Sequence, residues 1–417
     1  MLAGKLAAAT SSSYAFRSLI SPTTTPNYNW SQFGGTSLNG RPMAVSDLGD
    51  YIFVGGPTSS QSSPSYTQNG LGEVFIRTGN VWPSQQVIIP NSAYSYSNFG
   101  WSAAMSGDGA TLAVGLPGYP NTYSNIGAVR VYTRVGTTWS IEQFIQSAFA
   151  AGLDAYWGQS IALSQDGNTF IAVSRARDYA RVYTRTAGVW TEQQLITSIT
   201  GESAGSRGLI SVALSSDGNT AIIGATNKDT APYTDSGAAY VYTRSGGVWT
   251  LQQQLTASDK ASFDEFGYSV SLSGDGNLAL VGAPYKTVGA NASAGKAYVF
   301  TRSGGVWTQT QILTANPASA SNIFGFSVWV SRDKTKAFVG LPGYTYISTP
   351  NAGAVYVYDI IGGGTLSYKQ LIPQADTFGG ITGNVYFGWS VTSNASGSIM
   401  FTAAPFYGSG GRAYAYA

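Results

Sequence analysis

The side chains able to do chemistry are few, and the first pair to weigh is Arg175 and Arg177, two residues apart with Asp178 beside them. Two guanidinium groups this close can grip an acidic group, such as a sialic or uronic acid or a carboxylate on a partner. The plainer reading is a solvated loop in which Arg177 pairs with Asp178. A second set is aromatic: Tyr119, Tyr123, Tyr233, Tyr285, Tyr344, Tyr346 and Tyr407 stand in segments of variable length. Exposed Tyr offers a large contact area at small entropic cost and suits protein interfaces and stacking on sugar rings. The alternative is that several of these rings lie flat against neighbouring strands.

What is missing bounds the rest. The 417 residues include no His and no Cys, which removes Ser-His and Cys-His nucleophile pairs, the usual zinc sites, disulfides and the commonest general base near neutral pH. Carboxylate, Tyr, Lys and Ser chemistry remain, together with binding that involves no catalysis. No residue is assigned a catalytic or metal-ligating role, no cofactor is expected, and the chain is read as a non-enzyme. The formal charge is +2, which offers no field for nucleic acid. No window approaches the roughly 20 apolar residues that span a bilayer, so membrane insertion is not expected. The segment from Met1 to Ser13 lacks the charged region and apolar core of a secretory signal.

The elements that hold these residues are set by repetition. Segments beginning near residues 33, 99, 157, 208, 266, 324 and 387 follow one pattern, Phe-Gly-x-Ser, an apolar run, a turn, a second apolar run and Gly-x-Pro. The first copy follows it loosely, and there are two marked departures: Ser174-Arg175-Ala176-Arg177-Asp178 replaces the Gly-x-Pro element in the third, and Gly208-Leu209 replaces Phe-Gly in the fourth. Seven copies of about 55 residues cover 33–417. Each copy reads as four short strands; in the fifth these carry Val270 and Leu272, Leu278 to Val281, Ala297 to Thr301 and Trp307 to Thr314. Asp-Gly at Asp108, Asp166, Asp217 and Asp275 predicts type I′ hairpin turns between the first two strands. Arg134, Arg185, Arg244 and Arg302, each near a hairpin Trp, read as structural cation–π pairs. Four-stranded antiparallel units that each need a neighbour to cover their faces predict an all-β, seven-bladed β-propeller.

The last copy stops after its third strand. Tyr14, Leu19, Ile20 and Ser21 match Trp190, Leu195, Ile196 and Thr197 in spacing and type. The N-terminal strand, residues 14–21, is therefore expected to complete the seventh blade and close the ring. Residues 14–417 then form a single propeller, and 1–13 an arm outside it.

Phe-Gly-x-Ser, Val-Gly-Ala-Pro or Val-Gly-Leu-Pro, and Gly-Ala-x-x-Val-Tyr together resemble the FG-GAP repeat of integrin α-chain propellers and of many bacterial and viral surface proteins. The resemblance implies that the connections between second and third strands gather on one face of the disk and engage ligands there, which places the Tyr set and the two Arg on a candidate binding face. Integrin-type repeats often carry a calcium loop with several carboxylates. Here Ser-Gly-Asp-Gly-Asn at 273–277 has one, too few for the 6 to 8 oxygen ligands calcium takes, so these Asp are read as turn formers.

The function expected is that of a non-enzymatic structural or attachment protein of an extracellular particle, a virion or phage component. Its loops would bind protein or receptor, and residues 1–13 would dock onto a neighbouring subunit of the virion or surface assembly. The competing readings are a glycan-binding, lectin-like propeller and an adhesin on a bacterial surface.

Overall fold

A computed structural model describes residues 13–22, 28–29, 42–62, 65–90, 95–120, 125–146, 156–197, 199, 208–374, 384–406 and 411–417. Seven four-stranded antiparallel sheets follow one another around the chain. Blade 5 shows the build: Ser269–Leu272, Leu278–Ala283, Lys296–Ser303 and Val306–Leu313 run from the axis to the rim. The two inner strands are buried along their whole length, because neighbouring blades cover both faces. The outermost strand alternates, with Trp307 buried between exposed Val306 and Thr308. A small three-stranded sheet of Tyr28–Asn29, Ser60–Ser62 and Ser65–Tyr66 lies apart from the blades.

Apolar clusters straddle adjacent blades and do not fill one centre: Ile171 and Val173 of blade 3 pack with Val212 and Ile223 of blade 4. Close packing of the backbones makes this possible. A Cβ on Gly282 would overlap the carbonyl oxygen of Gly325 in the next blade, so the Gly of the Gly-x-Pro element is a contact point between blades. Between blades 3 and 4 both members have changed together. Val173 stands where Gly282 stands, and Leu209 where Gly267 stands, so the interface has swapped a backbone contact for a side-chain one. Leu209 is almost wholly buried there.

The ring closes as the spacing of Tyr14 and Leu19 implies. Phe16–Ile20 pairs antiparallel with Arg412–Tyr416, placing Leu19 opposite Tyr414 and Ile20 opposite Ala413. Ala15 and Ala417 exchange two backbone hydrogen bonds of 3.1 Å. Most of the arm, residues 1–12, lies outside the described residues, as does Phe33 at the head of the first copy.

The turns between first and second strands differ from the type I′ expectation. Gly109 alone takes a positive φ, of 64°, and its N–H donates to the Ser106 carbonyl at 3.0 Å. This is a type I turn followed by a left-handed residue. Asp108 works from a right-handed position: its Oδ1 accepts from Ser106 Oγ at 2.6 Å and from the Ala110 N–H at 2.9 Å. The same bonds recur at Asp166, Asp217 and Asp275. In the sixth copy Lys334 occupies the left-handed position, with φ 59°.

The cation–π expectation holds for Arg185, Arg244 and Arg302, whose guanidinium groups lie 5.4, 5.4 and 5.3 Å from the Trp190, Trp249 and Trp307 rings. Arg134 departs from it. It lies 4.1 Å over Tyr51 of blade 1, because its Nε and Nη1 donate to the carbonyls of Gly109 and Gly136.

Candidate functional site

Each innermost strand begins at Phe-Gly-x-Ser and ends at Ser-x-Asp or its equivalent, so these two variable positions mark opposite ends of the axis. Ala44, Ala104, Ala162, Ala213, Ser271, Trp329 and Thr392 stand midway between them and wall a channel of about 130 Å³. Trp329 is the bulky member, and its Nε1 donates to Ser393 Oγ at 2.9 Å.

At the turn end, backbone hydrogen bonds link one blade to the next. Asp47 N–H donates to Gly107 O, Gly107 to Gln165 O, Gln165 to Ser216 O, Ser216 to Gly274 O and Gly274 to Arg332 O. Asp333 continues to Ala395 O, and Ala395 returns to Asp47 O. The distances run from 2.8 to 3.2 Å, and the belt is closed. Side chains from it fill the axis: Asp47 accepts Arg332 Nε at 3.2 Å and Gln165 Nε2 at 2.5 Å. Burial lowers the Arg332 pKa, while Asp47 opposes that shift.

At the loop end, the variable residue of Phe-Gly-x-Ser forms an aromatic arc. Tyr268 and Phe326 have ring centroids 4.9 Å apart, and Phe326 and Trp389 4.5 Å. All three line the end of the channel, with Ile210 packed into the same cluster. Trp389, Tyr386 and Phe406 complete a triangle with all three centroid separations at 5.5 Å. Beside the arc stands Glu265, whose pKa rises to about 7 through burial and the neighbouring Asp235, against the pull of Arg175.

The residues read from the sequence divide between three environments. Tyr285 joins the arc, edge-on to Tyr268 at 5.7 Å. Tyr233 and Tyr346 are half-buried at loop tips, where each pairs with a nearby Thr, Thr230 and Thr349, in a two-residue bridge. Arg175 and Arg177 are half-buried in the tight turn between Ser174 and Tyr179, and Arg175 comes close enough to act on Glu265. Tyr119 and Tyr344 serve packing: Tyr119 is buried edge-on to Phe144 at 5.0 Å, and Tyr344 lies against the core of blade 6. Tyr123 and Tyr407 lie outside the described residues.

Sequence reasoning passed over Tyr268, Phe326 and Trp389. A signal was present, because the variable position of an otherwise constant motif is aromatic at Trp101, Tyr268, Phe326 and Trp389. Among the described residues no group of three His, Cys, Asp or Glu side chains is placed to hold a metal ion.

The FG-GAP repeat family model matches residues 190–242, 249–300 and 307–358. Each match spans about one repeat length, from the outermost strand of one blade to the third strand of the next. Among solved structures, the chain is similar to the β-propeller domain of Cps50 (Swd1) from Myceliophteria thermophila, with a TM-score of 0.59 and 10% identity over 97% of this chain and 99% of that one. At that identity the likeness concerns the fold alone. A comparison with curated proteins gives no match.

Proposed function

We propose that this chain, an FG-GAP-repeat propeller, is a non-enzymatic binding and attachment module that engages a protein or receptor through the loop end of its axis. The observation that carries the reading is the aromatic arc of Tyr268, Phe326 and Trp389, ringed by half-buried Tyr285, Tyr386 and Phe406. Rigid aromatic side chains gathered where loops from several blades meet supply contact area with little entropy left to lose. The opposite end is occupied by the Asp47, Gln165 and Arg332 side chains, which favours approach from the loop side. A composition without His or Cys and with only 10% charged residues supports a setting outside the cell, as a structural or attachment component of a particle such as a virion.

Labelled full-length chain is applied to arrays of cell-surface proteins and of glycans, beside a variant carrying Tyr233→Ser, Tyr285→Ser and Tyr346→Ser. Wild-type binding on the protein array and at least a tenfold loss in the variant, with an unchanged circular dichroism spectrum, is the expected result. Equal binding by both chains would remove the loop face from consideration. Binding confined to the glycan array would favour the lectin reading, which rests on the same arc because sugar rings stack on Tyr and Trp. The particle setting has its own test: the chain should co-sediment with purified particles, and deletion of residues 1–13 should release it. Absence from the particles, or unchanged incorporation of the deleted form, refutes the corresponding part of the reading.

A further inference from the structure

Blades 2 and 3 carry the same two donors in the same register. Arg130 and Tyr132 stand on Ala128–Val135, and Arg181 and Tyr183 on Tyr179–Thr186. Each strand pairs with its outer neighbour through an irregularity that follows the intervening Val. In blade 3 the residue opposite Tyr183 is Glu192. Its Oε2 accepts from Arg181 Nη1, and from the Tyr183 hydroxyl at 3.2 Å. In blade 2 the residue opposite Tyr132 is Ile141. The carboxylate has gone, and the groups that would hold it remain.

Their state in blade 2 follows from that loss. Arg130 is 4% exposed, and neither its Nε and Nη1 nor the Tyr132 hydroxyl meets an acceptor in good hydrogen-bond geometry, the two donors lying close enough only to act on each other. The guanidinium lies 4.9 Å from the Phe144 ring, a contact that offsets only part of the cost of burying a cation. Burial pushes the Tyr132 pKa up to about 12, against the pull of Arg130, so the hydroxyl keeps its proton at neutral pH and remains able to donate. Ile141 is 48% exposed at the place that the 31% exposed Glu192 side chain takes in blade 3, so an incoming carboxylate meets a solvent-facing side chain that must turn aside before the covered Arg130 and Tyr132 atoms are reached.

We propose that Arg130 and Tyr132 form a carboxylate-binding site on the flank of blade 2, filled from outside the chain at the place Glu192 fills in blade 3. The occupant is either a free carboxylate ion or an acidic side chain presented by a partner. The site is separate from the loop-end arc and stands or falls independently of it.

Thermal unfolding of the full chain, followed while sodium chloride is replaced by sodium acetate at fixed ionic strength and pH 7, tests the site. Acetate is expected to raise Tm saturably, and a blocked Ala-Glu-Ala peptide tests whether a side-chain carboxylate enters. Stabilisation by both points to a partner's acidic residue, and stabilisation by acetate alone to a free ion. Ile141→Glu supplies the carboxylate internally. It should raise Tm in chloride by a few degrees and abolish the acetate increment, whereas Ile141→Gln should do neither. Arg130→Met should lose the increment as well. The proposal is overturned if wild type shows no increment beyond that of Arg130→Met, or if Ile141→Glu leaves both Tm and the acetate response unchanged.

Discussion

Glu265 stands immediately before Phe266-Gly267, half-buried, where removal from water outweighs everything else acting on its carboxyl. Asp235 adds to the rise and Arg175 opposes it, leaving a pKa of about 7 against an ordinary 4.5. In the unfolded chain the group ionises near its ordinary value, so between about pH 4.5 and 7 the folded state binds the extra proton. Stability therefore falls as pH rises through that window and levels off above it. Glu265→Gln should match wild type near pH 4 and exceed it at pH 8 by on the order of 2 kcal/mol, a figure trimmed by solvent at a half-buried position. Urea unfolding at the two pH values measures this, and equal differences at both would disprove it. The sequence displayed Arg175 as a departure from the repeat but gave no sign of Glu265, because their approach joins connections from different blades. Asp47 and Arg332 escaped notice for the same reason: each is a variable residue in its own turn, and they meet only across the axis.

Blade-to-blade attachment at the rim rests on one recurring element. A Gln four residues after the hairpin Trp reaches the following blade and clamps the backbone of its Trp or equivalent. Gln253 Oε1 accepts the Trp307 N–H at 2.8 Å while its Nε2 donates to the Trp307 carbonyl at 2.9 Å. Gln86, Gln143, Gln194, Gln311 and Gln370 do the same to Trp139, Trp190, Trp249, Leu366 and Tyr14. Six joints are clamped in this way. At the seventh, from the closing strand to Trp82, the corresponding residue is Ser18, whose hydroxyl donates to its neighbour Leu19 at 3.3 Å. Ser18→Gln should complete the set and stabilise the fold by about 1 kcal/mol. Gln253→Ala should cost about 1–3 kcal/mol, because it strips partners from a backbone N–H and carbonyl beside a buried Trp. Denaturant midpoints decide both, and a Ser18→Gln chain no more stable than wild type would show that the seam is held by other means. The regular placing of Gln was legible in the sequence. Its purpose was not, since five of the clamps span 47 to 55 residues of chain and the one from Gln370 to Tyr14 spans 356, so only the ring brings the two ends together.

The ring as a whole was legible because each copy repeats its strands and turns at nearly constant spacing, and because a three-stranded last copy needs a partner whose pattern the N-terminal residues display. The axis was not, since the side chains facing it come one from each of seven separated strands. Closure is secured at three radii: by the backbone belt at the axis, by Phe16–Ile20 pairing along Arg412–Tyr416, and by Gln370 clamping Tyr14 at the rim. Tyr14 also packs edge-on to Phe338 of blade 6 at 5.8 Å. Removing residues 1–12 leaves every one of these contacts in place, and Tm should be unchanged. Removing residues 1–21 strips the outer strand from blade 7, uncovers Ala413 and Ala415 and exposes the backbone edge of Arg412–Tyr416 to pairing with other chains. The longer deletion should lower Tm by at least ten degrees and shift the chain from monomer-sized to aggregated fractions on size exclusion. A peptide of residues 13–22 added in excess should restore the smaller species by pairing with that edge. If the longer deletion runs and melts like the shorter one, the ring does not depend on its closing strand, and the belt at the axis must be sufficient to hold seven blades together.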